Sequence, residues 1–576
     1  MTTPTATTHH PADASASPFV GTDVCRQARL TLPNGADRPL FDHDHWDFTL
    51  VIGLPVQMAL HERRFDFTAI IDPGWRLVAK ELVLAVLAPW HPAVAMLPRA
   101  YRTPLHLRSC SARLNELTRL FAWLGQRGIS TLARLGTADC EAYLAHRRFV
   151  LDDYGAAVAE QSPGVRRAAA QAVIDLIDYR ELFTADRVPP DLRPWGGASA
   201  SAVAEMPSGR TENKTAPVPN EVLQPMLAAA LHLVTVLGPH AVTLHRQVHE
   251  TDQASAITAV GLRHSAPTAI ADIKAVLAEY MVAGVALPMI EDHDIGPRLA
   301  AGWAADNPLL PVATGVLARE AGYTQLWARW LPTLRGPFLE AVAAVGVKKQ
   351  FVREADEAPT ASGSSTVPWT LPLHRSQAVA LIGIVRTAAI TVLAAVSGMR
   401  ASELMELRVG CRCPIEEPIP GLRRFRLASK VVKGQPLGGT DDEWVVIEQA
   451  HQAVKTLEQL HDDPVDGALL LGRFDFYTRY KWFRGWVNSP SGQRLGLAPI
   501  PNGRVTLRKL RRTLALEMAY RPGGVLATKI HLKHIAVATT EGYAKARELH
   551  QTGAKSQVTC SRRRPDGPQR YYELAF

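Results

Sequence analysis

Arg400 stands at an abrupt change of pattern in this chain. The run from Thr387 to Ser397 is apolar at helical spacing, and Gly398 offers the left-handed conformation that ends a helix. Ser402 and Glu403 then open a second helix with Leu404 and Leu407 on one face. One guanidinium is therefore expected at a fixed bend between two buried helices, where it would form a pre-organised site for an oxyanion such as a phosphate. The alternative is a buried salt bridge to Glu403 or Glu406. Two later stretches carry groups suited to the same chemistry. Residues 507–518 hold Arg508, Lys509, Arg511 and Arg512, and residues 532–543 hold Lys533, His534, Thr539, Thr540 and Tyr543.

Taken together, Gly398-Met399-Arg400-Ala401-Ser402-Glu403-Leu404, Leu507-Arg508-Lys509-Leu510-Arg511-Arg512-Thr513 and Leu532-Lys533-His534 resemble the tyrosine recombinase (phage integrase) family. Its three motifs run Thr-Gly-(Leu/Met)-Arg-x-Ser-Glu-Leu, His-x-Leu-Arg-His-Thr, and Leu-Gly-His with a tyrosine nine residues on. Here Tyr543 lies nine residues after His534, and Thr539-Thr540 fall where the family has its threonine pair. The motifs cover roughly the last third of the chain. Three departures stand out. Arg508 replaces the first histidine of the second motif, Arg512 replaces the second, and Lys533 replaces the glycine of the third. Arginine stays protonated and cannot serve as a general base, so Arg508 would add charge to the phosphate rather than shuttle its proton.

The resemblance implies phosphoryl transfer. Tyr543 would be the nucleophile, a weak one near neutral pH unless neighbouring cations favour the phenolate. Arg400 and Arg511 would match their planar forks to the non-bridging phosphate oxygens, and His534 would donate to the same phosphate. The family also carries a catalytic lysine close to the turn of a β-hairpin. Lys433 fits that place, with Lys430 the alternative; it would protonate the departing 5′ oxygen. The cations carry the charge, so no metal or other cofactor is expected. The implied product is a 3′-phosphotyrosyl link with a free 5′-hydroxyl, formed by a homotetramer on paired double-stranded DNA sites. Ala544 to His550 and Tyr571 to Phe576 are candidates for docking on a neighbouring subunit.

Charge placement agrees with a phosphate-rich partner. From Pro501 to Phe576 there are 15 Lys and Arg against 5 Asp and Glu, a net of +10. The whole chain carries +9, so the other 500 residues sum to about −1. A solvated basic tail is the plain alternative, especially for Arg562-Arg563-Arg564. Six cysteines without paired spacing fit a reducing cytoplasm. Cys411-x-Cys413 lacks a second ligand pair for zinc, and the i, i+4 pair His245 and His249 with Glu250 lacks a further ligand. The apolar run 378–396 is interrupted by Arg386, which marks a core helix rather than a membrane span.

The elements that must position these groups are mostly helical. The fold expected is mainly α with a small β-hairpin or sheet: a helical core-binding domain followed by an α+β catalytic domain. Residues 1–18 are of disordered composition. Residues 19–104 mix short β-like runs (Phe48 to Ile52) with helix (Glu81 to Leu87) and suggest no function. Residues 105–195 form the helical domain, with Leu114, Leu117, Phe121 and Leu124 on one face, Gly128 as the stop and a further helix at Asp139 to Arg147. Arg108, Arg113 and Arg119 decorate it and would contact DNA by the resemblance; a plain helical bundle fits the periodicity equally. A linker spans 196–217. The catalytic domain, 218–576, opens with a helix through Val236 and contains a helical insertion at about 238–370 that ends in a second linker, Glu354 to Pro368.

Beyond Arg400, Phe425 to Lys433 and Trp444 to Ile447 read as a hairpin around a Gly-rich loop, with Lys430 on its first strand. Helices follow at Glu448 to Leu460 and Phe474 to Trp486. The second interleaves Arg473, Tyr477, Arg479, Tyr480, Lys481, Trp482 and Arg484, which suits DNA backbone contact, a packed amphipathic helix being the alternative. Arg512 and Lys533 complete the expected DNA-facing cations, and 501–576 is the nucleophile segment. The leading expectation is a site-specific recombinase or integrase of a mobile element. A topoisomerase-like nicking and rejoining enzyme would use the same residues. A catalytically silent DNA-binding descendant is the alternative that Arg508 and the insertion favour.

Overall fold

The computed structural model describes residues 16–152, 155–206, 215–258, 266–521 and 524–533. His534, Thr539, Thr540, Tyr543 and the rest of the C-terminal segment lie outside the described residues. So do the first fifteen residues and most of the second half of the 196–217 linker. Packing divides the chain into two bodies near residue 211, with Gly434–Gly439 assigned to the first.

The N-terminal body has one hydrophobic core running from Phe19 to Leu192. The boundary expected between 104 and 105 therefore falls inside a single packed unit. Its centre is the Pro73–Leu87 helix, buried on every side from Val78 to Leu87. Asp72 starts that helix by accepting the Trp75 N–H (2.9 Å), with Pro73 at the first position. Trp75 stacks on Phe121 of the Leu107–Gln126 helix, which buries Leu114, Leu117 and Leu124 as its spacing requires. Gly128 takes a positive φ just past its end. The strand expected at Phe48 to Ile52 is instead a turn. The Asp47 carboxylate accepts the Thr49 N–H at 2.7 Å, which ends the strand at His45–Asp47, paired with Arg64–Asp66.

The second body is built on the Arg375–Ser397 helix, most of whose side chains are buried. Helices Asn220–His232, Glu448–Gln459, Phe476–Val487 and Leu507–Ala519 share its core. The first of these does not stop near Val236. A π-helical turn, Leu233–Leu237, carries it into Gly238–Thr258, whose Ala241, Leu244 and Val248 belong to the same core. Gly238 lies close against Thr456, where a Cβ would already be 3.4 Å from its Oγ1. The insertion with a core of its own is smaller than expected, with Ala269, Ile273, Leu277, Trp330, Leu334, Phe338 and Ala341 at its centre. It is tied to the start of the long helix. Glu291 accepts the Ser376 N–H at 3.0 Å, and Asp292 meets His374 at 3.1 Å. The expected second linker is ordered: Glu357–Pro359 and Thr366–Pro368 pair antiparallel around a hydroxyl-rich turn.

The hairpin is a three-stranded antiparallel sheet, Glu416–Ile419, Leu422–Val431 and Thr440–Val446. Phe425, Leu427, Ser429 and Val431 alternate inward. Arg375–Ser397 and the continuous Asn220–Gln253 helix are long and apolar enough to cross a membrane by length and composition alone. Here the apolar window of the first is mostly buried in the protein and that of the second half-buried.

Candidate active site

The bend at Gly398 has φ +63°, and a Cβ there would come within 2.5 Å of Leu532 Cδ2 and 3.1 Å of Leu514 Cδ2. Conformation and close packing both call for glycine. Arg400 then caps the short Ala401–Met405 helix. Its backbone N–H donates to Glu403 Oε2 at 2.6 Å, and its Nη1 donates to Glu403 Oε1 at 2.5 Å. Of the two roles open to Arg400 in the sequence, the salt bridge to Glu403 is present. Glu403 is fully buried, while 23% of the Arg400 side chain remains open to solvent.

Arg511 joins the motifs. It sits on the inner face of the Leu507–Ala519 helix, whose first turn is capped by Thr506 accepting the Lys509 N–H at 3.3 Å. Its Nη1 donates to the Gly398 carbonyl, and its Nη2 donates to the Leu532 carbonyl at 2.6 Å. Nη1 also lies 3.8 Å from Glu403 Oε2. Two guanidinia therefore converge on one buried carboxylate, and stretches separated by more than a hundred residues are brought to a single point.

On the same helix Arg508 is exposed and makes no hydrogen bond or ion pair among the described residues. Arg512 is fully buried, which corrects its expected DNA-facing role: one helical step from Arg511, it shares the inward face. Lys430 is half-buried opposite Asp441, and Lys433 is exposed beyond the strand end at Val431. Neither lysine has an ion pair among the described residues. The sheet is fixed to the bend by Ser429, whose Oγ donates to the Glu403 carbonyl oxygen at 2.8 Å. Lys533 follows the Gly524–His531 helix at φ +52°, a left-handed conformation that favours glycine. Its Nζ lies 2.8 Å from Asp442 and 5.4 Å from the centre of the Trp444 ring.

Three features were not anticipated from sequence: the Ser429 bond, the Lys533–Asp442 pair and His531. The His531 ring packs against the Gly398 bend, and its Nε2 has no hydrogen-bond partner among the described residues. Burial first, then the Arg511 charge, hold its pKa below the ordinary histidine value. Its place three residues before His534 was the available signal.

The arginines expected to contact DNA from the N-terminal body are engaged with carboxylates. Arg113 is turned inward to Asp175 (3.0 Å) and to the Tyr101 hydroxyl (3.1 Å), which corrects its assignment to a DNA-facing surface. Arg108 meets Glu62 at 2.7 Å and Arg119 meets Glu116 at 3.1 Å. In the second body the Phe476–Val487 helix buries Tyr480, Phe483 and Val487 and turns Lys481 and Trp482 outward. Tyr477 lies beneath both Lys481 (5.1 Å) and Arg504 (5.3 Å). Among the described residues no group of three His, Cys, Asp or Glu side chains is arranged to hold a metal. Burial pushes the Cys411 thiol up to about 12.

No family model matches the chain, and no curated protein matches it. Solved structures similar to it over about half its length include two recombinases. One is the XerA recombinase, at 17% identity and TM-score 0.21, covering 50% of this chain and 100% of that one. The other is the XerH site-specific recombinase bound to difH substrate in a pre-cleavage complex, at 14% identity and TM-score 0.21, covering 51% and 97%. A TM-score of 0.21 defines no common fold.

Proposed function

We propose that this chain is a site-specific DNA recombinase that cleaves and rejoins DNA through a 3′-phosphotyrosyl intermediate, acting for a mobile element. The observation that carries the reading is the Arg511 guanidinium, which holds the Gly398 and Leu532 carbonyls together and so unites the Arg400 bend with the turn before His534. In this reading Arg400, Arg508 and His534 surround the scissile phosphate. Arg511 sets their spacing from beneath, through the Gly398 and Leu532 carbonyls. Tyr543 loses its phenolic proton to solvent, the neighbouring cations favouring the phenolate; its Oη attacks phosphorus and the bond to the 5′ oxygen breaks. Lys433, or Lys430, gives that oxygen its proton. The ester energy is kept in the phosphotyrosine, so rejoining needs no nucleotide. The exposed cations and Trp482 of the 473–504 region supply contacts to the DNA backbone. A homotetramer on paired sites completes strand exchange.

The test is a nicked suicide duplex carrying a candidate attachment site from the flanking genome, run on a denaturing gel. Wild type is expected to form a covalent protein–DNA adduct, and Tyr543→Phe none. One specific observation favours a second reading, a catalytically silent DNA-binding protein: Arg511 spends two donors on backbone carbonyls, and Arg508 stands where a histidine would move protons. Tight binding on several candidate sites without any adduct would put that reading first.

A further inference from the structure

We propose that Lys533 is a positioning residue that fastens the β-sheet carrying Lys430 and Lys433 to the turn leading into His534; this rests on the recombinase reading above. Lys533 occupies left-handed backbone at φ +52°, where a side chain is disfavoured and glycine is not. The side chain answers that cost with two contacts from one strand. Asp442 receives the ammonium at 2.8 Å, and the Trp444 ring lies 5.4 Å from it. Both partners belong to Thr440–Val446.

From Asp442 the connection runs on without a gap. Asp442 pairs with Ser429 across the ladder, and the Ser429 hydroxyl donates to the Glu403 carbonyl oxygen at 2.8 Å. The Glu403 carboxylate in turn holds Arg400. A single path thus links the turn before His534, the sheet and the Arg400 bend. Lys430 is the residue after Ser429 on that strand, and Lys433 lies two residues past the strand end at Val431. The placement of the sheet therefore sets the reach of both lysines. A mere surface ion pair would join two exposed side chains and leave the backbone relaxed. This one joins half-buried groups, 24% and 38% exposed, across a strained residue.

Two readouts on the full-length protein separate this inference from the reading beneath it. The first is hydrogen exchange of the amides at 429–431 and 440–446 without DNA. Asp442→Asn and Lys533→Met are expected to speed exchange about three- to five-fold, the size of a partly exposed ion pair. Lys533→Arg is expected to keep wild-type protection. The second is the adduct assay at saturating nicked duplex. Asp442→Asn removes a negative charge, so it should hold or tighten DNA binding while slowing adduct formation several-fold. Unchanged exchange in both Asp442→Asn and Lys533→Met overturns the tether. So does a variant that loosens the sheet yet forms adduct at the wild-type rate. If wild type itself forms no adduct, the recombinase reading fails, and the exchange data still decide whether the tether exists.

Discussion

In the N-terminal body arginine meets carboxylate at nearly every position that drew notice. Arg108 faces Glu62, Arg113 faces Asp175, and Arg119 and Arg147 share Glu116. In the second body Arg508, Lys430 and Lys433 have no such partner among the described residues, and Arg504 and Lys481 rest on a tyrosine ring instead of an acid. The same residue types therefore do different work. In the first body charge is cancelled and becomes architecture. In the second, Arg508, Lys430 and Lys433 are left available to an outside anion, while Arg400 and Arg511 are held by the inner carboxylate Glu403 and Lys533 by Asp442. Counting basic residues along a helix cannot separate these cases, because what matters is whether an acid on another element arrives at the same point.

The contrast can be broken most forcefully at Glu116. This buried carboxylate accepts from the Tyr143 hydroxyl at 2.8 Å, from Arg147 Nε and Nη2 at 3.0 and 3.2 Å, and from Arg119 at 3.1 Å. Glu116→Gln leaves the guanidinium of Arg147, itself mostly buried, without its counter-charge. A loss of about 3 kcal/mol of stability is expected, read as a lower urea midpoint at unchanged slope. A loss below about 0.5 kcal/mol, the range of ordinary surface substitutions, would show that these arginines are not structural after all.

A smaller effect sharpens the other half. Arg508→Ala is expected to weaken duplex binding by about 1 kcal/mol and to lower the salt slope by about one ion, as for one lost phosphate contact. Arg119→Ala should change neither, since that side chain is already matched to Glu116. Fluorescence anisotropy over a salt series measures both. Equal losses from the two substitutions would erase the distinction between the bodies.

How much of this was legible beforehand follows the range of the interactions involved. Gly398 as a helix stop, the inner face of Leu114 to Leu124 and the long core helix each depend on local spacing, and each is found. The sheet was visible too, although its ladder begins at Leu422 and ends before Lys433. Arg512 and Arg113 failed because their burial is set by neighbours distant in sequence: the packed core for one, Asp175 and Tyr101 for the other. The division at 104/105 failed for the same reason, since Trp75 and Phe121 stack across it. Of the chemical groups, Arg400 and Arg511 both approach Glu403. The partners that unite them, two backbone carbonyls, carry no signature in a sequence.

The smallest expected effect tests whether the second body leaves the partly buried His531 uncharged. His531 feels the charges of Arg511 and Lys533, while the backbone carbonyls of Ser397 and Val396 act in the raising direction. Burial first, then Arg511, lower its pKa from the ordinary 6.5. The sign follows from proton uptake. Above pH 6.5 the ring is neutral in both folded and unfolded chains and contributes no pH dependence. As the pH falls below 6.5 the unfolded chain takes the proton first, so stability is lost until the folded value is reached. Other histidines are lowered by burial as well, His106 and His146 in the N-terminal body among them. The informative quantity is therefore a difference between variants. His531→Gln should shrink the loss of stability between pH 7 and pH 5, with little change at pH 7.5. Melting temperatures of the two proteins across that range decide it. Parallel curves would mean that His531 takes up its proton as readily folded as unfolded, and that the cations beside it are screened by solvent rather than held in a dry site.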